Sequence, residues 1–200
     1  FTKDAKDFGL VSPKGVMLLG IPGCGKSLVS KTIANEWELP LLKLDLGNVF
    51  GSLVGESEAR MREALKLSEA ISPSILWIDE IEKGLSGISD GGDNGTSAKV
   101  FGTLLTWMQE KKNEVFVIST ANKIEALPPE LLRKGRFDEI FFVDLPSSSE
   151  RKEIFEIHIE KKERDISNFD LDKLSSLSIG FSGAEIEEAV NEALFIAYSD

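Results

Sequence analysis

The sequence is poor in the residues that form disulfides and zinc sites. Its 200 residues include one cysteine, Cys24, and one histidine, His158. A single cysteine excludes an internal disulfide, and the pair cannot supply the four ligands of a structural zinc site. Any metal that the chain holds is therefore expected to bind through oxygen atoms.

Extended apolar segments and a surplus of positive charge are also missing. Stretches such as residues 16–19 are far shorter than the roughly 20 apolar residues that cross a membrane, and residues 1–15 do not have the pattern expected of a secretory leader. Lys and Arg number 23 against 34 Asp and Glu, and the net charge of -11 argues against binding to nucleic acid or anionic lipid. We therefore expect protein partners, no nucleic acid, no membrane span and a cytoplasmic location.

Apolar residues are plentiful enough to build a core. With 42% hydrophobic residues, 200 residues suffice for one sizeable domain and a small appended lobe. The chain starts with Phe1 rather than Met, in a stretch typical of the middle of a helix. We therefore expect a piece of a larger protein whose second lobe is incomplete.

The apolar pattern predicts an α/β fold. Short runs rich in Val, Ile and Leu alternate with longer amphipathic segments, which is typical of a parallel sheet covered by helices on both faces. Beyond Pro146 the strand pattern stops, so we predict a large α/β domain over residues 1–146 and a small helical domain over 147–200. Strands are predicted near residues 15–19, 41–45, 75–79, 115–120 and 140–143, helices near 26–37, 57–70, 98–111, 149–161, 170–176 and 182–198, and a polar loop over 84–97.

A phosphate-binding motif follows the first predicted strand. Residues 20–27 read Gly-Ile-Pro-Gly-Cys-Gly-Lys-Ser, a complete GxxxxGK(S/T) sequence, for which an ordinary glycine turn is the alternative. Glycines let backbone NH groups and a helix N-terminus surround phosphate oxygens. Lys26 is expected to reach the β and γ phosphates of a nucleotide, and the Ser27 hydroxyl to bind Mg²⁺. The predicted nucleotide contacts are Pro22, Gly23, Cys24, Gly25, Lys26, Ser27 and Leu28.

Cys24 lies inside this motif and has two interpretations. A helix N-terminus lowers the pKa of a nearby thiol, which would suit a redox switch. The alternative is a small side chain that the loop merely tolerates, and we favour it.

Two adjacent carboxylates follow the third predicted strand. Residues 75–80 read Ile-Leu-Trp-Ile-Asp-Glu, which places Asp79 and Glu80 at the edge of the sheet where ligands of open α/β folds bind. Apolar runs that end in Asp-Glu also occur at protein surfaces, so the motif is weak alone. Together with the glycine loop, it predicts that Asp79 holds Mg²⁺ and that Glu80 polarises the water that attacks the γ-phosphate.

Three more polar residues follow the fourth strand. Asn122 is either a turn residue or an amide that orients the attacking water. Arg133 and Arg136 form either structural salt bridges or arginine fingers that reach the nucleotide of a neighbouring subunit.

The order of these motifs resembles the classic clade of the AAA family of P-loop ATPases over essentially all of residues 9–198. The resemblance implies that residues 20–27 are the Walker A loop, that 75–80 are Walker B, and that Asn122 is sensor 1. It also implies that Arg133 and Arg136 are the arginine fingers in the second region of homology at 121–138.

The same resemblance gives roles to residues of the helical lobe. It implies that Ile154 and His158 lie against the adenine, although a lone histidine is otherwise interpreted as a surface or core residue. Gly183 and Ala184 lie in a stretch similar to the sensor 2 turn.

Residues 35–37, 49–58 and 76–81 are similar to the stand-alone AAA proteins of cyanobacteria and plastids, a group named after a hypothetical chloroplast reading frame. A photosynthetic eukaryotic source would then imply the plastid stroma. Family unfoldases usually have an aromatic residue in the central pore loop, but the matching positions here read Leu53-Val54-Gly55, and Phe50 comes three residues early. We therefore expect weak threading of substrate.

The resemblance implies a ring-forming, hexameric, Mg²⁺-dependent ATPase that binds ATP and ADP and remodels protein partners. The alternative is a nucleotide-controlled scaffold or switch that binds partners in its ATP state without translocating them. A monomeric P-loop enzyme, such as a small-molecule kinase, would leave Arg133 and Arg136 without a role.

Overall fold

A five-stranded parallel sheet forms the centre of the computed structural model, which describes residues 3–50, 56–84, 94–133 and 135–199. The pore-loop prediction at Leu53, Val54 and Gly55 lies outside these residues. Every strand bound falls within one residue of its predicted position, so the predicted α/β class is confirmed. The strands are β1 (Gly15–Gly20), β2 (Leu41–Leu44), β3 (Ser74–Ile78), β4 (Val115–Ala121) and β5 (Glu139–Val143), in the spatial order β2-β3-β4-β1-β5.

The register of the sheet brings polar residues to one edge. Ile78 at the end of β3 pairs with Ser119 in β4, so Asp79 and Thr120 follow side by side. Leu18 in β1 pairs with Thr120 from the other side. Because parallel strands end at the same edge, side chains distant in sequence meet there.

The helices agree with the pattern predicted from the sequence, apart from two differences. The helices are α1 (Lys3–Asp7), α2 (Lys26–Glu36), α3 (Leu46–Phe50), α4 (Glu56–Ala70), α5 (Asn94–Glu110), α6 (Ser148–Glu160), α7 (Leu171–Leu177) and α8 (Gly183–Ser199), with 3₁₀ turns at Ile81–Gly84, Ile124–Ala126 and Ile166–Asn168. The apolar spacing explains α5, whose Val100, Leu104 and Met108 follow a four-residue period and are fully buried.

The first difference is the start of α5. The polar loop predicted over 84–97 is wrong at both ends, because α5 begins at Asn94 and Gly84 belongs to a 3₁₀ turn. Glycine, serine and threonine are poor helix formers, so composition alone favoured a loop. An existing helix adds a further residue at little cost, which allows α5 to extend into this stretch.

The second difference is α3, which was not predicted. The carboxylate of Asp45 accepts hydrogen bonds from the amides of Gly47 (2.9 Å) and Asn48 (3.4 Å), and Leu46 and Val49 are buried. An aspartate cap and two apolar anchors therefore hold a helix that is too short for periodicity to reveal.

The described chain divides into two compact units. One comprises Phe1–Leu19 and Ser27–Phe142, and the other comprises Gly20–Lys26 and Val143–Asp200. The core of the first unit includes Met17, Met61 and Ile78, all fully buried. Within the described part of the chain, no helix combines the length and apolar character that crossing a membrane requires.

Three helices of the second unit surround a small core of Phe155, Ile159 and Ile186. A serine cap begins α6, because Ser147 and Glu150 form a reciprocal capping box. This cap fixes the point at which the chain turns from strand to helix.

Candidate functional site

The predicted phosphate loop has a backbone that depends on glycine. Gly20, Gly23 and Gly25 have φ angles of 152°, 81° and 82°, which L side chains rarely adopt. A Cβ on Gly20 would lie 2.0 Å from the carbonyl oxygen of Val143. The glycine spacing of the motif therefore corresponds to backbone positions that no other residue fits without strain.

Lys26 directs its side chain back into this loop. Its ammonium donates hydrogen bonds to the carbonyl oxygens of Gly20 (2.8 Å) and Ile21 (2.7 Å), and the residue is only 6% exposed. A buried ammonium is costly unless polar or anionic groups surround it. The loop thus keeps a positive charge among its backbone groups, which suits an anionic ligand. Leu28, two residues further on, is exposed.

The start of α8 packs on the loop within the second unit. The Ala184 amide donates a hydrogen bond to the carbonyl oxygen of Gly23 (3.1 Å). A Cβ on Gly23 would lie 2.8 Å from Ser182 Oγ, and a Cβ on Gly183 would lie 3.2 Å from the Gly23 carbonyl oxygen. Hydrogen bonds from the backbone and hydroxyl of Ser182 lower the pKa of Glu185, so this capping carboxylate stays ionised. The contact between the phosphate loop and the start of α8 therefore requires a small residue at both position 23 and position 183.

Ile154 and His158 lie about one turn apart on α6. Ile154 packs against the core of the second unit, and its Cδ1 is 3.7 Å from the position of a Cβ on Gly183. His158 Nδ1 is buried without a hydrogen-bond partner among the described residues and lies 3.6 Å from Glu187 Oε1. The structure therefore places Ile154 beside Gly183 at the start of α8, and His158 beside Glu187 within α8.

Asp79 is the centre of a polar network in the first unit. Its Oδ1 accepts hydrogen bonds from the hydroxyls of Ser27 (2.9 Å) and Thr120 (2.8 Å), and the Lys43 ammonium lies 3.4 Å from its Oδ2. Burial raises the pKa of Asp79, but the hydrogen bonds from Thr120 and Ser27 and the charge of Lys43 outweigh burial and hold that pKa below its ordinary value. Asp79 is therefore an ionised carboxylate beside two hydroxyl groups.

Thr120 is a member of this network that sequence reasoning missed. Its hydroxyl donates to Asp79 and accepts a hydrogen bond from the Glu80 amide (2.8 Å). The residue is 1% exposed. The available signal was its place at the end of a buried strand, two positions before Asn122.

Glu80 has a strained backbone and two side-chain partners. Its φ is 48°, a region that costs a residue other than glycine about 1–3 kcal/mol. Asn122 Nδ2 donates to Glu80 Oε1 (3.2 Å), and Lys83 forms an ion pair with Oε2, which raises the pKa of Lys83. The backbone NH group of Asn122 donates a hydrogen bond to Glu82 Oε1 (2.9 Å). The structure thus brings Glu80 and Asn122 together and adds Lys83, which was not predicted.

Arg133 and Arg136 lie between β4 and β5, and the Lys134 between them is outside the described residues. Arg133 is exposed and Arg136 is half-buried, with Nε buried but without a hydrogen-bond partner among the described residues. The segment is anchored by Asp138, whose carboxylate accepts the amides of Lys14 (2.6 Å) and Gly15 (2.9 Å). In the described chain no hydrogen bond or ion pair joins either guanidinium to another residue, so the salt-bridge alternative gains no support.

The surroundings of Cys24 in this loop raise the pKa of its thiol. Burial raises its pKa, the Lys26 ammonium opposes that effect, and the Asp144 carboxylate reinforces it. Its Sγ lies 4.0 Å from the carbonyl oxygen of Pro22. Because the thiolate is the reactive form, this environment favours a tolerated small side chain over a redox switch.

The fold, with a glycine loop after β1 and two carboxylates after β3, defines a P-loop NTPase. Residues 16–145 match the family of ATPases associated with various cellular activities (AAA), and residues 168–200 match the AAA+ lid domain. The chain belongs to the AAA family, which confirms the resemblance seen in the motifs.

Relatives with curated names agree with this assignment. The chain is 57% identical to an uncharacterized AAA domain-containing protein ycf46 of Pyropia yezoensis, over 100% of this chain and 41% of that protein. The protein of the same name from Guillardia theta is 55% identical, over 100% of this chain and 40% of that protein. A proteasome-activating nucleotidase of Sulfurisphaera tokodaii is 37% identical, over 96% of this chain and 50% of that protein.

The chain is thus an AAA-type ATPase domain whose nucleotides are ATP and ADP. It spans about two fifths of the length of the ycf46 relatives.

Proposed function

We propose that this chain hydrolyses ATP with Mg²⁺ bound at Ser27 and Asp79 and with Glu80 as the residue that activates water. The observation that supports this proposal best is the network in which Thr120 joins Asp79 to the Glu80 backbone, while Ser27 and Asn122 hold the two carboxylates. These hydrogen bonds hold Asp79, the proposed cation ligand, and Glu80, the proposed water-activating carboxylate, in fixed positions relative to each other.

The donor atoms suit Mg²⁺. Asp79 and Ser27 supply oxygen, and among the described residues no group of three or more His, Cys, Asp or Glu could hold a metal by itself. Mg²⁺ usually binds through one or two carboxylates and keeps its other positions for water and phosphate oxygens. The Lys43 ammonium near Asp79 Oδ2 indicates that this side of the carboxylate accepts positive charge. When bound, Mg²⁺ would neutralise charge on the phosphates.

The chain's own residues then divide the chemistry. Lys26 and the backbone NH groups of Gly23, Cys24, Gly25, Ser27 and Leu28 bind the phosphates. Pro22 has no NH group and contacts the nucleotide through its ring. Glu80 holds and polarises the attacking water, and Asn122 keeps the Glu80 carboxylate in place. The strained Glu80 backbone preorganises that carboxylate.

The second unit is proposed to bind the nucleoside. Gly183 and Ala184 pack on Gly23 of the phosphate loop, and Ile154 lies next to the same turn. We assign Ile154 and His158 to the adenine, because one supplies an apolar side chain and the other a buried ring nitrogen. This assignment makes residues 1–146 the nucleotide-binding domain and 147–200 the lid.

A ring of subunits, proposed to be hexameric, would complete the site. Arg133 and Arg136 have no partner among the described residues, which fits side chains that act on the nucleotide of a neighbouring subunit. Relatives include FtsH 2 of Petrotoga mobilis, an ATP-dependent zinc metalloprotease that is 35% identical over 100% of this chain and 33% of that protein. By analogy we propose that hydrolysis here drives the remodelling of protein partners.

A slow nucleotide-controlled switch is the second candidate. The aliphatic Leu53 at the position of the family's pore aromatic favours it, because an aliphatic side chain grips a polypeptide less well. Both candidates use the same active-site residues. For both candidates we propose a location in the cytoplasm, or in the plastid stroma if the source is a photosynthetic eukaryote.

The rate of ATP hydrolysis per molecule, measured from below to above the micromolar range, tests the shared site. We expect the rate to rise and then level off at saturating Mg²⁺ and ATP, in step with assembly measured by light scattering. A rate that stays constant while assembly changes would place the complete site within one chain.

A further inference from the structure

Lys43 is a charged residue beside the active-site network that the proposed chemistry does not use. Its ammonium lies 3.4 Å from Asp79 Oδ2 and 4.5 Å from the centre of the Trp77 ring. The Lys43 side chain is 52% exposed and that of Asp79 is 21% exposed. The ammonium therefore contacts two partners at once, a carboxylate and an aromatic face, and half of its side chain is open to solvent.

The sheet backbone fixes this arrangement. In the parallel pairing of β2 with β3, Lys43 pairs with Trp77 and Leu44 pairs with Ile78. Paired residues of neighbouring strands project to the same face, so Lys43 is held over Trp77 and next to the residue that follows β3. Trp77 is 6% exposed and gives the lysine a firmly packed surface.

The same side chains line a small cavity of about 180 Å³. Lys43 and Lys83 face it together with Asp79 and Glu80. Lys43 pairs with Asp79, and Lys83 pairs with Glu80. Each carboxylate of the proposed active site thus has a lysine that offsets its charge within the chain.

We propose that Lys43 is a positioning residue that competes with the divalent cation for Asp79. Its ammonium holds the carboxylate until the cation binds and then leaves Asp79 and moves closer to the face of Trp77, which it already contacts. Two cations at one carboxylate repel each other, and the aromatic face gives the displaced ammonium an alternative partner. This inference rests on the proposed function, because that function assigns Asp79 to Mg²⁺.

The first test compares Lys43→Met, which keeps length but removes charge, with Lys43→Arg, which keeps the charge. ADP binding is measured by calorimetry over a series of Mg²⁺ concentrations and in EDTA. We expect the Mg²⁺ concentration that produces half of the full change in ADP affinity to be about fivefold lower in Lys43→Met, the scale that removal of one exposed ion pair allows. The Mg²⁺ requirement of Lys43→Arg should resemble that of the wild type. An unchanged or higher Mg²⁺ requirement in Lys43→Met would overturn the competition.

The second readout is tryptophan fluorescence, which a purely structural role would leave unchanged. Mg²⁺ added to the ADP-bound wild type should alter the emission as the ammonium approaches Trp77. The change should disappear in Lys43→Met and in Trp77→Phe, while Trp37 and Trp107 still emit. A signal that persists in Lys43→Met would show that another movement produces it and would refute the shift onto the ring.

The outcomes separate this inference from the function on which it rests. If ADP binding by the wild type does not depend on Mg²⁺, both proposals fail. If the wild type depends on Mg²⁺ and Lys43→Met depends on it equally, only the role of Lys43 fails. If Lys43→Met weakens ADP binding in EDTA without shifting the Mg²⁺ requirement, Lys43 contacts phosphate and the competition is wrong.

Discussion

Single side chains decide whether the two carboxylates act together, and the Thr120 hydroxyl is the link between them. It donates to Asp79 and accepts from the Glu80 amide, so its loss leaves a buried donor without a partner. We expect Thr120→Val to lower the free energy of unfolding by about 1–3 kcal/mol and to slow hydrolysis. Urea denaturation and steady-state ATPase rates measure these effects.

Thr120→Ser provides the matched control, because serine retains the hydroxyl and loses one methyl group. Its ATPase rate should stay near that of the wild type. Equal rates in Thr120→Val and Thr120→Ser would show that the hydroxyl does not support the active site.

Lys26 and Glu80 should separate nucleotide binding from hydrolysis. Lys26 is buried within the phosphate loop, whereas Glu80 lies in the carboxylate network and makes no assigned phosphate contact. We expect Lys26→Ala to abolish ATP binding in equilibrium assays, and Glu80→Gln to bind ATP but hydrolyse it extremely slowly. Loss of binding to the same extent in both variants would contradict these roles.

Motif spacing was sufficient to predict Asp79, Glu80 and Asn122 as neighbours, because each follows a strand that was recognisable from its apolar residues. Thr120 and Lys43 could not be predicted in the same way. Their importance depends on the register of β4 against β3 and of β2 against β3, which a single sequence does not specify. In addition, a threonine at a strand end and an exposed lysine are common in proteins at positions outside any active site.

Between secondary-structure elements, the contact of α8 with the phosphate loop depends on Gly23. This residue has φ 81°, and a Cβ would lie 2.8 Å from Ser182 Oγ. We expect Gly23→Ala to weaken ADP binding by about tenfold or more, since the strained backbone or the α8 contact must change. Calorimetric titration with ADP measures the loss.

Gly102 provides the control for this substitution. It lies within α5, and a Cβ there would meet no atom within 4 Å. Gly102→Ala should leave ADP binding unchanged and stabilise the fold by about 0.5–1 kcal/mol, because alanine favours a helix interior. A similar loss of binding in both variants would show that Gly23 has no special role.

Periodicity predicted the longer elements well because α4 and α5 bury apolar side chains at helical spacing, as Met61 and Leu65 in α4 and Leu104 and Met108 in α5 show. It failed where other forces decide the structure. The five-residue α3 depends on the Asp45 cap, and the first turn of α5 extends through residues with low helix propensity. Such features follow from local hydrogen bonds and helix propagation, which an apolar pattern does not reveal.

For the assembled protein, the decisive residue is Arg136, which is half-buried and has no partner in the described chain. We expect Arg136→Ala to bind ATP almost normally and to hydrolyse it roughly 10³-fold more slowly, the scale on which arginine fingers act. ADP and ATP affinities measured beside the steady-state rate distinguish this outcome from misfolding. A normal rate would remove Arg136 from the active site.

Mixing two inactive variants tests whether the arginine acts between subunits. Lys26→Ala cannot bind ATP but retains Arg136, whereas Arg136→Ala has an intact phosphate loop but lacks the arginine. In a ring with head-to-tail interfaces, about a quarter of the interfaces in an equal mixture pair an intact loop with an intact arginine. The mixture should therefore regain about a quarter of the wild-type rate per chain. If each site uses its own arginine, mixing restores nothing, since no chain then contains a complete site.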